Sequence, residues 1–453
     1  MLKRLIEKDL LEWFETQPDK ALCIIGARQT GKTTIVREFA AAHFTSFLEL
    51  NFLEDQSAAR IFDTASSTED ILLQLENYRP ETALVPGKSL IWLDEIQECP
   101  AARTAVKFLT ENGKYRYIET GSLPGVRIAD VRSVPVGYEQ LVNMYPLTFE
   151  EFLWGAGIRQ ELIARLKEAF EQRSPVPEYL HEQMLKLYRT YLVVGGMPGA
   201  CASFFKDGNL ERVRQIQHSI IRLYEQDIMK YASLESRTWI LEIFKQIPGQ
   251  LSKPNHRFVL NRIQKGARIS QLSDYFSWLA EAGIVLPCFN TAVPQIPLVL
   301  SEKRNLFRLY MLDTGLLVSL LEGSAVKMLQ NDPTLNWGAI LENAAAQSLV
   351  SSGFELCYFH KKAIGEIDFL ISEAGEVSLL EMKSGKSWQA HPSLDKIRRT
   401  QNWKFKNAYV FCQGNVSETD GILELPWYMM MFLRPEESLP DIPFNYEGLN
   451  FLL

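Results

Sequence analysis

The chain lacks the residue patterns that mark several protein classes. Its six cysteines and six histidines are scattered along 453 residues, and no two cysteines form a Cys-x-x-Cys pair. This distribution indicates neither a disulfide framework nor a zinc site. No apolar run approaches the ~18–20 residues that span a bilayer, and residues 1–9 are charged with a helical period, unlike a secretory signal. We therefore expect no membrane partner and a cytoplasmic location.

An excess of positive charge is also missing. The net charge is −7, so any binding of nucleic acid must depend on a local basic surface. The chain shows no internal repeat and no low-complexity tract. Its apolar fraction of 46% and charged fraction of 23% are typical of a globular protein. Its length suggests about three domains.

One motif distinguishes the chain. Residues 26–33 fit the phosphate-binding loop pattern G-x-x-x-x-G-K-[ST], between a strand-like run at 21–25 and a helix-like segment at 34–40. We expect backbone N–H groups of this loop to bind the phosphates of ATP, with Lys32 at the β- and γ-phosphates and Thr33 on Mg²⁺. The predicted nucleotide-binding residues here are Gly26, Ala27, Arg28, Gln29, Thr30, Gly31, Lys32, Thr33 and Thr34. The alternative is a glycine turn that precedes a helix by coincidence.

A second apolar run follows one α/β unit later and ends in Asp94 and Glu95. Ligand groups collect at the carboxyl ends of strands in a doubly wound sheet. We therefore expect Asp94 to hold Mg²⁺, directly or through water, and Glu95 to polarise the water that attacks the γ-phosphate. The alternative is a solvated acidic turn. A third strand, 115–119, leads to Thr120 and Ser122, and either hydroxyl is a candidate for contacting the γ-phosphate unless this segment is a plain turn.

The chain divides into four predicted segments. Residues 1–150 alternate short apolar strands with helices, which predicts an α/β P-loop NTPase core with a parallel sheet. Residues 151–234 predict a helical lid that closes over the nucleotide. Residues 235–330 predict a winged helix and a connector; such a module reads DNA or, given the little positive charge on its last helix, docks a protein. Residues 331–453 carry a second set of charged residues.

That second set indicates phosphodiester chemistry. Asp368 lies in one predicted strand, while Glu381 and Lys383 end another, where the alternation of side chains places both on one face. Two carboxylates and a lysine that converge are what metal-dependent hydrolysis requires, because the carboxylates hold Mg²⁺ and the lysine orients water or stabilises charge. These three are the candidate catalytic residues of this segment, and Glu342 lies on the preceding helix. The alternative is two amphipathic strands with solvated ends.

Taken together, the motifs resemble a family of predicted bacterial and archaeal ATPases of the AAA+ superfamily, whose members carry a C-terminal domain of unknown function. The resemblance extends over essentially the whole chain. It is carried by the segments 26–33, 93–97, 120–122, 145–152, 195–198 and 312–316. It implies an AAA+ core, a helical lid, a winged helix and a restriction-endonuclease-like tail similar to the PD-(D/E)xK nuclease fold. The positions that match the nuclease pattern are Glu342, Asp368, Glu381 and Lys383, and the three acids are thereby implied as Mg²⁺ ligands.

The sequence departs from this family at one position. Many relatives carry Gly-Arg ahead of the Pro-Leu-Ser-Phe-type segment, whereas Gly137-Tyr138 stands in that region here. An arginine acting on the γ-phosphate from this position is therefore not assigned. Arg127 and Arg132 lie nearby, and an exposed salt-bridging role is the ordinary interpretation for each.

Three functional hypotheses follow from the sequence. The leading one is an ATP-hydrolysing AAA+ protein in which Lys32, Thr33, Asp94 and Glu95 perform the chemistry and the C-terminal module binds or acts on nucleic acid. The second is a Mg²⁺-dependent nuclease that ATP gates. The third is a nucleotide-dependent scaffold that docks a protein partner.

Overall fold

The structure, a computed structural model, covers most of the chain. It describes residues 2–122, 137–253, 258, 269–332, 334–385, 388–400 and 403–435, with the backbone alone at 269–272. Within the winged helix, the sequence predicts a second helix at 259–263; that segment and the candidate arginines Arg127 and Arg132 lie outside these residues. All six cysteines are buried and free, as the scattered pattern predicts.

A five-stranded sheet forms the first half of the fold. Its strands are β1 (Ala21–Ile25), β2 (Ser46–Asn51), β3 (Ser89–Asp94), β4 (Arg116–Gly121) and β5 (Glu139–Asn143). They pair in parallel in the order β2-β3-β4-β1-β5. Because β4 lies between β1 and β3, the carboxyl ends of these three strands meet at one edge. This order brings the predicted phosphate loop next to the predicted acidic residues.

Helices cover both faces of this sheet. They are α1 (Glu7–Thr16), α2 (Lys32–His43), α3 (Gln56–Thr64), α4 (Thr68–Tyr78) and α5 (Pro100–Asn112). Along β1, Cys23 and Ile25 enter one core while Leu22 and Ile24 enter the other. Burial on both faces explains why β1 reads as a continuous apolar run instead of an alternating one. The predicted α/β class with a parallel sheet is confirmed for this part of the chain.

Five helices follow the sheet. They are α6 (Phe149–Gly155), α7 (Gln160–Glu171), α8 (Glu178–Val194), α9 (Pro198–Asp207) and α10 (Leu210–Tyr231). A capping box starts α6, since Thr148 and Glu151 each bind the other's backbone N–H. Two of the breaks between these helices fall at the Pro-rich segment 174–177 and the Gly-rich segment 195–199, as the residue types there predict.

The next segment mixes helices and two strands. Its elements are α11 (Arg237–Leu251), α12 (Ile269–Glu281), β6 (Val285–Thr291), β7 (Glu302–Met311), α13 (Thr314–Leu320) and α14 (Ser324–Leu329). The strands β6 and β7 form an antiparallel pair, as a β-wing would. Because the second predicted helix lies outside the described residues, the winged helix stays a prediction.

The remaining elements complete a second sheet. They are α15 (Trp337–Ser351), β8 (Cys357–Lys361), β9 (Gly365–Glu373), β10 (Glu376–Met382), α16 (Pro392–Arg398), β11 (Phe405–Cys412), β12 (Ser417–Thr419) and β13 (Ile422–Pro426). Short 3-10 turns lie at Pro80–Thr82, Ile96–Glu98, Leu298–Ser301 and Trp427–Phe432. The eight strands are ordered β12-β13-β11-β10-β9-β8-β6-β7. Since β6 pairs directly with β8, one sheet continues across the boundary predicted at 330/331.

Two glycine motifs meet where the helices join the second sheet. The Gly196 N–H donates to Asp313 Oδ2 at 2.6 Å, and Asp313 Oδ1 accepts from the Leu316 N–H at 3.0 Å at the start of α13. A Cβ on Gly195 would lie 2.2 Å from Asp313 Oδ1. One apolar core runs from the helices that follow the first sheet into the second sheet. The two regions therefore share packing as well as hydrogen bonds.

Candidate nucleotide-binding site

The phosphate loop connects β1 to α2 in a conformation that needs glycine. A Cβ on Gly26 would lie 2.2 Å from the Met144 carbonyl oxygen. Gly31 has a φ of +97° in the left-handed region, immediately before α2 begins at Lys32. The two glycines of the motif therefore permit the close approach and the turn that this loop requires.

Lys32 lies buried inside the loop. Its Nζ donates to the Gly26 carbonyl at 2.8 Å and to the Ala27 carbonyl at 3.0 Å. Burial lowers the pKa of Lys32 to about 8, and the carboxylates of Glu95 and Asp94 oppose this shift. The structure thus brings the predicted lysine and both predicted acids into one electrostatic environment. Thr33 and Thr34 follow in the first turn of α2.

Asp94 is buried at the end of β3 and held in place by two neighbours. The Thr120 hydroxyl donates to Asp94 Oδ1 at 2.5 Å, and the Asn51 amide donates to Asp94 Oδ2 at 3.0 Å. The Trp92 indole in turn donates to the Thr120 oxygen at 2.7 Å. Burial raises the pKa of Asp94, while the Thr120 hydrogen bond lowers it. Thr120 therefore orients Asp94, and its contact with a γ-phosphate stays a prediction.

Glu95 leaves the strand in an unusual conformation. Its φ of +53° is left-handed, which is uncommon outside glycine and frequent at functional sites. The Gln97 side chain donates to the Glu95 carboxylate. The other candidate hydroxyl, Ser122, lines a narrow cleft together with Arg28 and Tyr231.

Arg28 links the phosphate loop to helix α10. Its Nη1 lies 2.9 Å from Asp227 Oδ1, and its Nη2 donates to the Tyr231 hydroxyl at 3.0 Å. The Tyr224 hydroxyl donates to the Arg28 carbonyl at 3.0 Å, and the Tyr231 hydroxyl donates to Glu98 Oε1 at 3.0 Å. One face of α10 therefore contacts both the phosphate loop and the turn that follows Glu95.

Sequence reasoning missed Arg4, which supports the loop from the other side. Arg4 is almost fully buried; its Nη1 donates to the Thr30 carbonyl at 2.9 Å and its Nη2 to the Tyr145 carbonyl at 2.6 Å. Its Nε pairs with Glu151 Oε1 at 3.0 Å. Asn51 was also missed, although a polar residue that ends a strand of a parallel sheet is a usable signal.

The charged residues of the C-terminal segment also converge. Lys383 Nζ lies 2.6 Å from Glu381 Oε1. Glu342 and Asp368 both face Arg308, at 3.0 Å and 3.8 Å respectively. Burial and the nearby Glu342 raise the pKa of Asp368 to about 7, and Arg308 opposes the shift. The sequence analysis did not anticipate this arginine.

Family models match three regions of the chain. Residues 18–153 match a family model described as an AAA domain. The match, together with the strand order, supports an AAA-type P-loop ATPase domain. Residues 185–327 match the domain of unknown function DUF8612, and residues 337–428 match the domain of unknown function DUF4143. No curated protein matches the chain.

Solved structures show only distant likeness. The Walker-type ATPase PABY2304 of Pyrococcus abyssi is 14% identical, with a TM-score of 0.45, covering 71% of this chain and 96% of that one. The ORC1 protein of Aeropyrum pernix, solved in complex with DNA, is 14% identical with a TM-score of 0.29, covering 73% and 93%. Cdc6p of Pyrobaculum aerophilum is 15% identical with a TM-score of 0.26, covering 73% and 96%.

A membrane-spanning segment was not expected from the sequence. Among the residues that the structure describes, no helix combines the length and the apolar character needed to cross a bilayer.

Proposed function

We propose that the protein binds and hydrolyses ATP at the carboxyl edge of the first sheet. The observation that carries this proposal is that Lys32 follows the loop after β1, that Asp94 and Glu95 stand at the end of β3, and that Thr120 lies on the strand between β1 and β3. The backbone N–H groups of the loop and the start of α2 bind phosphate oxygens. Lys32 contributes the positive charge that the β- and γ-phosphates require.

The residues present also fit a magnesium ion. Thr33 supplies a hydroxyl in the first turn of α2, and Asp94 supplies a buried carboxylate that Asn51 and Thr120 hold in one orientation. These two residues would hold the ion, which neutralises charge on the phosphates when bound. Glu95 is the group that accepts hydrogen bonds from the attacking water, because its carboxylate lies beside Lys32 without being buried.

We propose further that the C-terminal module binds nucleic acid. Lys361 and Lys362 are exposed at the turn between β8 and β9, next to the strand that carries Asp368. Exposed lysines of this kind contact the phosphate backbone without reading its sequence. The alternative function is a scaffold that docks a protein partner. Binding of that partner would not change when nucleic acid is added.

One experiment tests both parts. ATP turnover by the full chain is compared with that of Lys32→Ala and Glu95→Gln, each with and without duplex DNA. We expect Lys32→Ala to abolish turnover, and Glu95→Gln to keep ATP binding while hydrolysis falls by about 10²-fold or more. Fluorescent ATP binding, measured in parallel, separates binding from chemistry.

The outcomes separate the proposals. Undiminished turnover by Lys32→Ala contradicts the assignment of the ATP site. Equal loss of binding and turnover in Glu95→Gln contradicts its role as the base. If DNA does not change ATP turnover, and the protein does not change the mobility of the DNA, the nucleic-acid proposal is wrong while the ATPase proposal stands.

A further inference from the structure

A buried arginine occupies the centre of the C-terminal acidic cluster. Arg308 projects from β7 and its side chain is 0% exposed. Its Nη1 lies 3.0 Å from Glu342 Oε2 on α15 and 3.8 Å from Asp368 Oδ1 on β9. Its Nη2 pairs with Glu366, and its guanidinium lies 4.5 Å from the ring centroid of Tyr358. One cation therefore joins a helix and two strands.

The hydrogen bonds around this arginine form a built network. The Tyr310 hydroxyl donates to Glu342 Oε2 at 3.1 Å, and Arg308 Nη1 lies 3.3 Å from the same tyrosine oxygen. The Met382 N–H donates to Asp368 Oδ2 at 2.8 Å. Glu342 and Asp368, which both face Arg308, are thus each held by one further hydrogen bond. A guanidinium has a planar array of five donors, which suits several carboxylates at once.

The same geometry does not fit a divalent metal ion. Mg²⁺ needs oxygen ligands at about 2.0–2.1 Å in an octahedral arrangement, and an ion shared by Glu342 and Asp368 would have to displace the arginine nitrogen that both now face. Within the described ranges, the acid and thiol ligands that all lie within 4.8 Å of one another are Cys23, Glu119 and Glu139, in the first sheet. Glu342, Asp368 and Glu381 do not form such a group there.

The other two residues of the predicted nuclease pattern, Glu381 and Lys383, form an ion pair with each other. Glu381 is 8% exposed, and its Oε1 pairs with Lys383. The carbonyl of Lys383 accepts a hydrogen bond from the Trp427 indole at 3.0 Å, which holds the end of β10 in place. The lysine thus serves as the counter-ion of Glu381.

We propose that Arg308 is the resident cation of this cluster, so that the C-terminal module binds no catalytic metal there and does not cleave nucleic acid. The three acids of the predicted nuclease pattern are present, but side chains of the same polypeptide, Arg308 and Lys383, supply the positive charge. The cluster then organises β7, α15 and β9 into one unit. This inference concerns a different site from the ATPase proposal and does not depend on it.

The test begins with metal binding to the intact chain. Binding of Mn²⁺ is titrated calorimetrically, without nucleotide, on the unaltered protein and on Asp368→Asn. We expect identical stoichiometry in the two proteins, because Asp368 already faces the arginine. Loss of one Mn²⁺ site in Asp368→Asn would overturn the proposal, and this comparison does not depend on how any Arg308 variant folds.

Two Arg308 variants provide the converse test. Arg308→Ala leaves Glu342, Glu366 and Asp368 without their shared cation, so the midpoint of thermal unfolding should fall, and added Mn²⁺ should recover part of that fall. Arg308→Lys keeps one positive charge, so its unfolding midpoint should fall by less, and added Mn²⁺ should not change that midpoint. A Mn²⁺ response of the unaltered protein that matches that of Arg308→Ala would contradict the proposal.

A cleavage assay completes the test. Single-stranded and duplex DNA and RNA are incubated with the full chain and Mg²⁺ or Mn²⁺, with and without ATP. We expect intact nucleic acid in every lane. Cleavage that disappears in Lys383→Ala, while the ATP turnover of that variant persists, would show that the cluster is an active nuclease.

Discussion

Lys32 carries its charge in a buried position, which makes that charge sensitive to pH. Burial lowers the pKa of its ammonium group to about 8. The group is charged below this pH and loses its proton as the pH rises through it. The interaction between Lys32 and the phosphates should therefore weaken on the alkaline side, within a range where most lysines remain charged.

We predict that the affinity for ATP falls between pH 7 and pH 9 by up to about tenfold, because the charged fraction of a group with a pKa of about 8 falls about tenfold over this range. Isothermal titration calorimetry across this range measures the change. Lys32→Arg should flatten the profile because a guanidinium stays charged. An equally steep profile in Lys32→Arg would assign the pH dependence to another group.

The sequence identifies residues whose role is local, and misses those whose role comes from neighbouring strands. Lys32, Asp94 and Glu95 follow from motifs because a loop and a strand end are enough to define them. Asn51 becomes relevant only because β2 and β3 pair in parallel with Asn51 opposite Asp94. Arg308 lies outside every motif, and its contacts with α15 and β9 are set by tertiary packing.

Helix α10 contacts the phosphate loop of the candidate nucleotide-binding site. Tyr224, Asp227 and Tyr231 lie at helical spacing on one of its faces, and all three contact Arg28. In this arrangement the Asp227 carboxylate binds a guanidinium of the phosphate loop that would otherwise be available to a phosphate. We therefore expect Asp227 and a bound phosphate group to compete for the same cation.

We predict that Asp227→Asn increases the affinity for ATP by a few-fold, because an exposed or half-exposed ion pair contributes up to about 1 kcal/mol. The hydrogen bond from Tyr224 to the Arg28 carbonyl keeps the loop in place. Asp207→Asn is the matched control, since Asp207 pairs with Arg212 on the exposed surface at 2.7 Å. Weaker ATP binding by Asp227→Asn would show that the ion pair supports the site instead.

Helices and their ends were predictable, whereas strand partners were not. The Pro- and Gly-rich breaks mark the ends of α7 and α8 because both residue types disfavour a helix interior and are common just beyond its end. The pairing of β6 with both β7 and β8 could not be derived from sequence. An apolar run shows that a strand is buried without showing which strand lies beside it.

At the scale of the whole molecule, the contact between Gly196 and Asp313 joins the helices that follow the first sheet to the second sheet. A Cβ on Gly196 would lie 2.2 Å from the Leu147 carbonyl oxygen and 2.8 Å from the Leu147 nitrogen. Both are backbone atoms, so a side-chain rotation cannot relieve the overlap. The glycine is therefore a packing requirement of the joint.

We predict that Gly196→Ala lowers the free energy of unfolding by about 1–3 kcal/mol, the usual cost of overpacking. Urea denaturation followed by tryptophan fluorescence measures it. Gly249→Ala is the control, because a Cβ there meets nothing within 4 Å and alanine favours a helix interior by about 0.5–1 kcal/mol. Similar stability of the two variants would mean that the joint tolerates the added methyl group.

The continuous eight-stranded sheet has a practical consequence for dissecting the protein. A fragment cut at 330/331 would lose β6 and β7 and expose a row of unpaired N–H and C=O groups along β8, which is a template for aggregation. It would also lack Arg308, leaving its acids without a counter-charge. Insolubility or metal uptake by such a fragment would thus be produced by the truncation and would say little about the native chain.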